Sequence, residues 1–139
     1  MRPPVIVIIH GLDHARAALS TAAERGIRVV LRSAPGAAAY LGAAVFREIV
    51  DQATADHPNA LQAAVLDCGD SPGHALAAFR HGIREVRLEA PPAVRARVAD
   101  IAQKVGCALD ENDGPVLDLG EVADPKAECE RWLDELICG

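Results

Sequence analysis

The stretch of residues 60–89 constrains the fold of this chain more than any other. It reads ALQAAVLDCGDSPGHALAAFRHGIREVRLE, in which an apolar run is followed by a helix start at Ser71-Pro72 and a helix stop at Gly82. Serine caps the free N–H groups of a first turn, proline suits the first helical position, and glycine suits the left-handed position after the last turn. With residues 63–66 and 86–88 as strands, so short a unit predicts a parallel pair with a right-handed crossover.

Strand and helix patterns alternate along the rest of the chain. Further strands are predicted at residues 5–9, 27–31 and 107–109, while residues 116–119 fit either a short strand or a hairpin return. The first strand is apolar throughout, so we expect it to lie centrally in the sheet. One long helix is predicted between Gly36 and His57, and the last two helices are expected to bury one stripe each: Val94, Val98, Ile101 and Val105, then Cys129, Trp132, Leu133 and Leu136.

This alternation predicts a single α/β domain over residues 1–139, with a mainly parallel sheet of about five strands and helices on both faces. A closed TIM barrel typically needs about 250 residues. The chain therefore predicts either a half-TIM-barrel or an open, flavodoxin-like sheet. The open sheet is favoured, because helices on both faces then cover the apolar strands.

Composition and charge exclude several classes of function. With 50% hydrophobic and 24% charged residues, the chain has the apolar content for a real core. A net charge of −6 without a Lys/Arg cluster argues against binding to nucleic acid or to an anionic membrane. The longest apolar run is too short to span a bilayer, and the N-terminus is too short for a signal peptide, so a cytoplasmic location is expected. The four cysteines show no CxxC spacing and are expected to be free thiols.

Four segments resemble one known family, the class II fructose-bisphosphate aldolases. VLDCG, followed by a helix and then HGIREVRLEAP, is similar to that family's HLDHG to GFTSVMID unit. AALSTAAERGIRVVLRSAPGAAAYLG resembles its "ileAAeelksPviiqvSeGaikYmG", and VADPKAECERWL resembles its "yTDPeeAkeFVe". The segments keep the family's order and together cover roughly residues 5–133.

The resemblance implies a catalytic role for one residue and the loss of others. In that family the Asp of HLDHG is the proton-transfer acid and the His after it binds zinc, so Asp67 matches the acid while Cys68 replaces the zinc ligand. Val65 stands in place of the first His, and Ser33 lies beside Ala34, which replaces a loop Ser. The family's other two zinc-binding histidines have no counterpart in these residues. We therefore expect no bound cofactor; zinc at Cys68 is the one metal considered.

The strand ends give a second, independent set of candidates. In parallel α/β sheets the ligand crevice lies beyond the carboxyl ends of the strands. Arg32 and the turn Ser33-Ala34-Pro35-Gly36 come before a helix start, where free N–H groups attract an anion. The predicted ligand-binding residues are accordingly His10, Arg32, Ser33, Gly36 and Glu89, with Asp110 on the same rim. Polar residues at strand ends also occur without any function, so the pattern alone does not establish a site.

Two kinds of function follow from these residues. The first is an aldolase-like protein without turnover that binds a small anionic or phosphorylated metabolite, or serves as a homo-oligomeric assembly module. The alternative is a divergent lyase that acts on a phosphosugar with Asp67 as the proton-transfer residue. The two readings place Asp67 differently. A catalytic Asp67 faces the crevice near Glu89, whereas a structural one accepts hydrogen bonds from the Gly69 to Gly73 turn.

Overall fold

The computed structural model describes residues 4–138, which form six strands and six helices. The strands are β1 (Ile6–Ile9), β2 (Val29–Ser33), β3 (Leu61–Asp67), β4 (Glu85–Arg87), β5 (Ala108–Leu109) and β6 (Val116–Asp118). The helices are α1 (Leu12–Glu24), α2 (Ala37–Tyr40), α3 (Ala43–Asp56), α4 (Pro72–Arg80), α5 (Pro92–Lys104) and α6 (Pro125–Cys138). None of these helices combines the length and apolar character needed to span a membrane.

The sheet is parallel throughout, with the strand order β5-β4-β3-β2-β1-β6. This confirms the predicted α/β class. Strands β1 to β5 lie side by side in sequence order, as consecutive units do in a TIM barrel, and β6 joins the far side of β1. The chain after β5 therefore makes a short parallel strand and not a hairpin return.

The position of one strand and the bounds of two elements differ from the prediction. Strand β1 is buried but lies next to the edge strand β6, so it is not central. Strand β2 runs to Ser33, two residues beyond the predicted end, because Arg32 and Ser33 are buried and continue the strand. The long helix is interrupted at Gly42, whose φ of 86° is left-handed and separates α2 from α3.

The described residues divide into two compact units, and the first comprises residues 4–31, 49–63 and 113–138. Helix α6 packs against α1 in this unit. Its Cys129 and Leu133 are buried as predicted, whereas Trp132 is half-buried and Leu136 is 37% exposed. The side chain of Asp124 accepts a hydrogen bond from the N–H of Ala127 at 3.1 Å and so caps the start of α6.

The second unit comprises residues 32–48 and 64–112. Its helix α4 begins as the sequence predicts, since the Ser71 hydroxyl accepts a hydrogen bond from the N–H of His74 at 3.2 Å. The predicted stripe of α5 is buried only in part: Val98 is buried, together with Ala102, whereas Ile101 and Val105 are exposed. Val98 and Ala102 are four residues apart and share one side of a helix, and the small alanine lets that side pack closely.

Candidate functional site

A buried ion network connects the carboxyl ends of three strands in the second unit. Arg32 lies near the end of β2, Arg87 ends β4, and Asp110 follows β5. The Oδ2 atom of Asp110 accepts hydrogen bonds from Nη2 of Arg32 at 3.1 Å and from Nη1 of Arg87 at 3.2 Å. The Asp110 side chain has no exposed surface, and that of Arg32 is only 9% exposed. Two guanidinium groups thus share one fully buried carboxylate.

The loop that carries Asp110 also offers a backbone acceptor to both arginines. The carbonyl oxygen of Asn112 accepts from Arg32 Nη2 at 2.8 Å and from Arg87 Nη1 at 3.1 Å. The other carboxylate oxygen of Asp110, Oδ1, accepts from the side-chain amide of Asn112 at 2.9 Å and from its N–H at 3.3 Å. The loop is therefore folded onto itself and pinned by the arginines.

Arg32 retains one unsatisfied donor in this network. Its Nε atom is buried and has no hydrogen-bond partner among the residues that the structure describes. A buried donor without a partner typically costs about 1–3 kcal/mol, so native proteins satisfy nearly all of them. The Nε atom is the buried side-chain nitrogen or oxygen within residues 4–138 that lacks a hydrogen-bond partner, which makes Arg32 a candidate ligand-binding side chain.

Asp67 ends β3 and joins two loops of the second unit. Its Oδ1 atom accepts hydrogen bonds from the backbone N–H groups of Gly36 and Gly69, each at 2.9 Å. Both glycines are left-handed, with φ of 67° and 59°. The N–H of Asp67 donates to the Ser33 hydroxyl at 2.8 Å. The Gly36 amide, predicted to attract an anionic ligand, thus already faces a carboxylate of the chain itself.

The strand register places Asp67 beside the ion network. Its Cα partner in β4 is Arg87, and paired positions in neighbouring strands face the same side of the sheet. Within β4, Glu85 lies on that side as well, because side chains alternate along a strand. The carboxyl edge of the second unit therefore presents Arg32, Asp67, Arg87 and Asp110 together, drawn from or next to four strands that are neighbours in the sheet.

The two remaining ligand-binding candidates lie elsewhere. The Glu89 side chain is exposed, and the residue's N–H donates to the Gly69 carbonyl at 2.8 Å. His10 belongs to the first unit, where its Nε2 atom lies 2.7 Å from Oδ1 of Asp118. The N–H of His10 donates to Nδ1 of His14 at 3.0 Å. These contacts form a local cluster at the ends of the paired strands β1 and β6.

Cys68, the residue considered for zinc, is buried in the second unit. Its thiol lies 3.7 Å from the Leu66 carbonyl oxygen, which it can donate to. Burial, together with the negative charge of Asp67, raises the pKa of Cys68 to about 12. Zinc binds the thiolate form, which this environment disfavours. Within residues 4–138 no three His, Cys, Asp or Glu side chains are grouped to hold a metal ion.

Glu85 shows how the ion network affects its surroundings. It is half-buried, and burial raises its pKa above the ordinary value, with the charge of Asp110 adding to the effect. A carboxyl group whose pKa is raised by folding binds its proton more tightly in the folded state. The ionised form therefore costs stability. This cost is absent below the ordinary value of 4.5 and is fully present once the pH exceeds the raised one.

We expect Glu85→Gln to increase the free energy of unfolding by a few tenths of a kcal/mol near neutral pH, because the group is partly exposed and solvent screens its charge. Urea denaturation at about pH 7 and about pH 4 measures the difference from wild type, which should shrink toward zero at the lower pH as Glu85 is protonated in both states. Glu89→Gln, which changes an exposed residue of the same unit, is the control. A variant that gains nothing at neutral pH contradicts the expectation.

Sequence reasoning missed Arg87 and Asn112. Arg87 was overlooked because β4 was placed at residues 86–88, which made Glu89 its terminal polar residue; the strand is in fact Glu85–Arg87. The sequence does contain a signal for Arg87: charged residues stand on both sides of the apolar Val86, and in a strand Glu85 and Arg87 lie on the same face. Asn112 contributes its backbone carbonyl to both arginines, and a backbone contact leaves no signal in the residue type.

No protein-family model matches the chain, and a search of curated proteins gave no significant match. The class of protein is therefore defined by its own fold and site. It is an α/β protein with an all-parallel sheet, and it carries a buried arginine–carboxylate network at the carboxyl ends of strands in one unit. The resemblance to class II aldolases stays a prediction.

Proposed function

We propose that the second unit binds a small anionic or phosphorylated metabolite through Arg32, in an aldolase-like protein without aldolase turnover. The observation that carries the proposal is the buried Arg32 side chain whose Nε donor has no partner within the described residues. Carboxylate and phosphate oxygens are the acceptors that a planar guanidinium binds best. The position also suits a ligand, since crevices of parallel α/β sheets lie at the carboxyl ends of strands.

The absence of turnover is proposed from the donor set at the family's metal position. Class II cleavage relies on a metal ion to stabilise the negative charge that develops on the substrate. The resemblance places Cys68 where a zinc-binding histidine stands in that family, and the family's other two zinc-binding histidines have no counterpart in these residues; Cys68 is buried. A catalytic metal of this kind needs about three protein ligands, and within residues 4–138 no three His, Cys, Asp or Glu side chains, Cys68 included, are grouped to hold one.

A specific contact favours the second candidate, a divergent lyase that acts on a phosphosugar. Asp67 is held through Oδ1 by two backbone amides, while no hydrogen bond to its Oδ2 is found within residues 4–138. A carboxylate fixed at one oxygen and open at the other is suited to transfer a proton at a defined position. In this reading Arg32 would hold the phosphate and Asp67 would act on the sugar carbon skeleton.

Isothermal titration calorimetry with inorganic phosphate, dihydroxyacetone phosphate and fructose bisphosphate tests the binding proposal. We expect at least one anion to bind, and Arg32→Lys to weaken it about tenfold or more because lysine keeps the charge but lacks the fork. Arg97→Lys, which makes the same change at an exposed residue of the same unit, is the matched control. Equal binding by wild type and a folded Arg32→Lys protein rules the proposal out.

A coupled assay of phosphosugar cleavage separates the two candidates. If the protein only binds the metabolite, we expect no cleavage with or without added zinc. If it is a divergent lyase, we expect wild type to cleave the phosphosugar and Asp67→Asn to abolish the cleavage, because an amide cannot take up the proton.

We also propose that the protein is a cytoplasmic homo-oligomer. In the second unit a groove of about 270 Å³ is lined by α4, α5 and the residue that follows α5: its apolar side chains are Leu76, Phe79, Ile101 and Val105, and Arg80 also lines it. Ile101 is 40% and Val105 58% exposed, and association with a second copy would remove this surface from water. All four cysteines are free, which suits a reducing compartment.

We expect Val105→Lys to shift the protein from a dimer to a monomer, because a charge in the apolar groove opposes its burial between two copies. Light scattering behind a sizing column measures the molar mass of each form. Gln103→Lys adds the same charge to the same helix outside the groove and should leave the mass unchanged. A wild-type monomer at micromolar concentration contradicts this part of the proposal.

A further inference from the structure

Arg32 and Arg87 are held by the same two acceptors, and both acceptors come from one short loop. Each guanidinium donates to Oδ2 of Asp110 and to the carbonyl oxygen of Asn112, at 2.8–3.2 Å. A negatively charged oxygen and a neutral one, close together between two arginines, are the kind of acceptors that a bound carboxylate or phosphate would present. The loop therefore occupies the position of an anionic ligand.

The hydrogen-bond donors of Arg32 that are already in use limit how a ligand can bind to it. Its Nη2 atom carries two hydrogens, and the contacts with Asp110 and Asn112 use both. Its Nε atom carries one hydrogen and is buried without a partner in the described part of the chain. A carboxylate or phosphate that binds a guanidinium side-on accepts hydrogen bonds from Nε and Nη2 at the same time. A ligand can thus bind in this way only if the loop gives up one contact to Nη2.

The loop is built so that it can give up that contact. Apart from Arg32, the loop is held by Arg87, which donates to the same two acceptors, and by the Asp110 N–H, which donates to the Val86 carbonyl at 2.8 Å. It therefore stays attached to β4 when one contact to Arg32 is released. Exchanging one anionic oxygen for another keeps the buried Arg32 charge paired in both states, which avoids the large cost of an isolated buried charge. A segment with two arrangements of similar free energy is what a ligand can switch.

We propose that residues 110–112 form an internal latch, which occupies the arginines in the free protein and is displaced when a carboxylate or phosphate group binds side-on to Arg32. This inference rests on the proposed function, since it concerns the same site. It adds a form of regulation: the affinity for the anion is set partly by the free energy needed to release the loop. Changes that loosen the latch should then strengthen binding without adding any contact to the ligand.

Asn112→Ala loosens the latch and leaves every charge and the backbone carbonyl in place. It removes the side-chain bond to Asp110 Oδ1, so we expect inorganic phosphate to bind about threefold to tenfold more tightly than to wild type by calorimetry. Asn59→Ala makes the same change at an exposed residue of the first unit and should leave the affinity unchanged. Asp110→Asn, used where circular dichroism shows it folded, should also bind more tightly because the competing charge is gone.

Hydrogen exchange gives a readout that affinity alone does not. Saturation of wild type with phosphate should speed the exchange of the Asn112 amide, because release of a contact to Arg32 leaves the loop that holds this N–H on Asp110 Oδ1 less firmly fixed. The latch is ruled out, and the proposed function stands, if Arg32→Lys weakens phosphate binding while Asn112→Ala binds phosphate with the affinity of wild type. Phosphate must then also leave the rate of hydrogen exchange in the loop unchanged. A lack of phosphate binding by wild type and by both loop variants overturns the two together.

Discussion

Replacing Asp110 with alanine is expected to lower the free energy of unfolding by about 3–5 kcal/mol, the range found when one partner of a buried ion pair is removed. The carboxylate is fully buried and accepts from Arg32 and Arg87. Arg32 has no other carboxylate partner within the described residues, so the variant leaves its charge buried with only the Asn112 carbonyl as an acceptor. Urea denaturation followed by circular dichroism measures the loss.

The neighbouring Glu111 provides the control for this prediction. Its ion pair with Arg95 lies at the surface, with 69% of the Glu111 side chain exposed. Exposed pairs contribute about 0–1 kcal/mol, so Glu111→Ala should change stability little although it alters the same loop. If Asp110→Ala lowers the free energy of unfolding no more than Glu111→Ala does, the buried ion network does not stabilise the loop and the carboxyl edge of the sheet.

The elements that the sequence predicted well are those with local signals. The unit from β3 through α4 was predicted because its signals lie within a few residues of their effects: Ser71 caps the helix that it precedes, and Gly82 takes the left-handed φ of 84° that ends it. Strand ends have weaker signals. The strand was predicted to end at Leu31, with Arg32 before the turn, whereas burial of the Arg32 side chain against Asp110 keeps this residue in the strand.

The candidate site was predicted only in part, because its contacts are distant in sequence. Arg32 and Asp110 are 78 positions apart, and Gly36 and Asp67 are 31 apart. Residue type and strand position placed these residues on one edge of a sheet, but they did not show which group would pair with which. The amide of Gly36 was predicted for an external anion, and the fold gives it the Asp67 carboxylate.

The contacts of Asp67 fit the structural reading and extend it. That reading requires the carboxylate to accept from the turn that follows it, and Oδ1 does accept from the Gly69 N–H. The same oxygen also accepts from Gly36, so one side chain fixes the loop before α2 as well as the loop after β3. Both loops pass through left-handed glycines, and Asp67 Oδ1 accepts from the N–H of each of them.

We expect Asp67→Ala to lower the free energy of unfolding by about 1–3 kcal/mol, because two half-buried backbone donors lose their acceptor. Asp67→Asn is the matched control: its amide oxygen can still accept from Gly36 and Gly69, so most of the stability should remain while proton transfer is lost. Chemical denaturation of the three proteins gives the comparison. If Asp67→Ala equals or exceeds wild type in stability, the role of Asp67 is not the structural one of accepting hydrogen bonds at Oδ1. Strain released by such a substitution is typical of catalytic groups, and the divergent lyase would then become the better account of this protein.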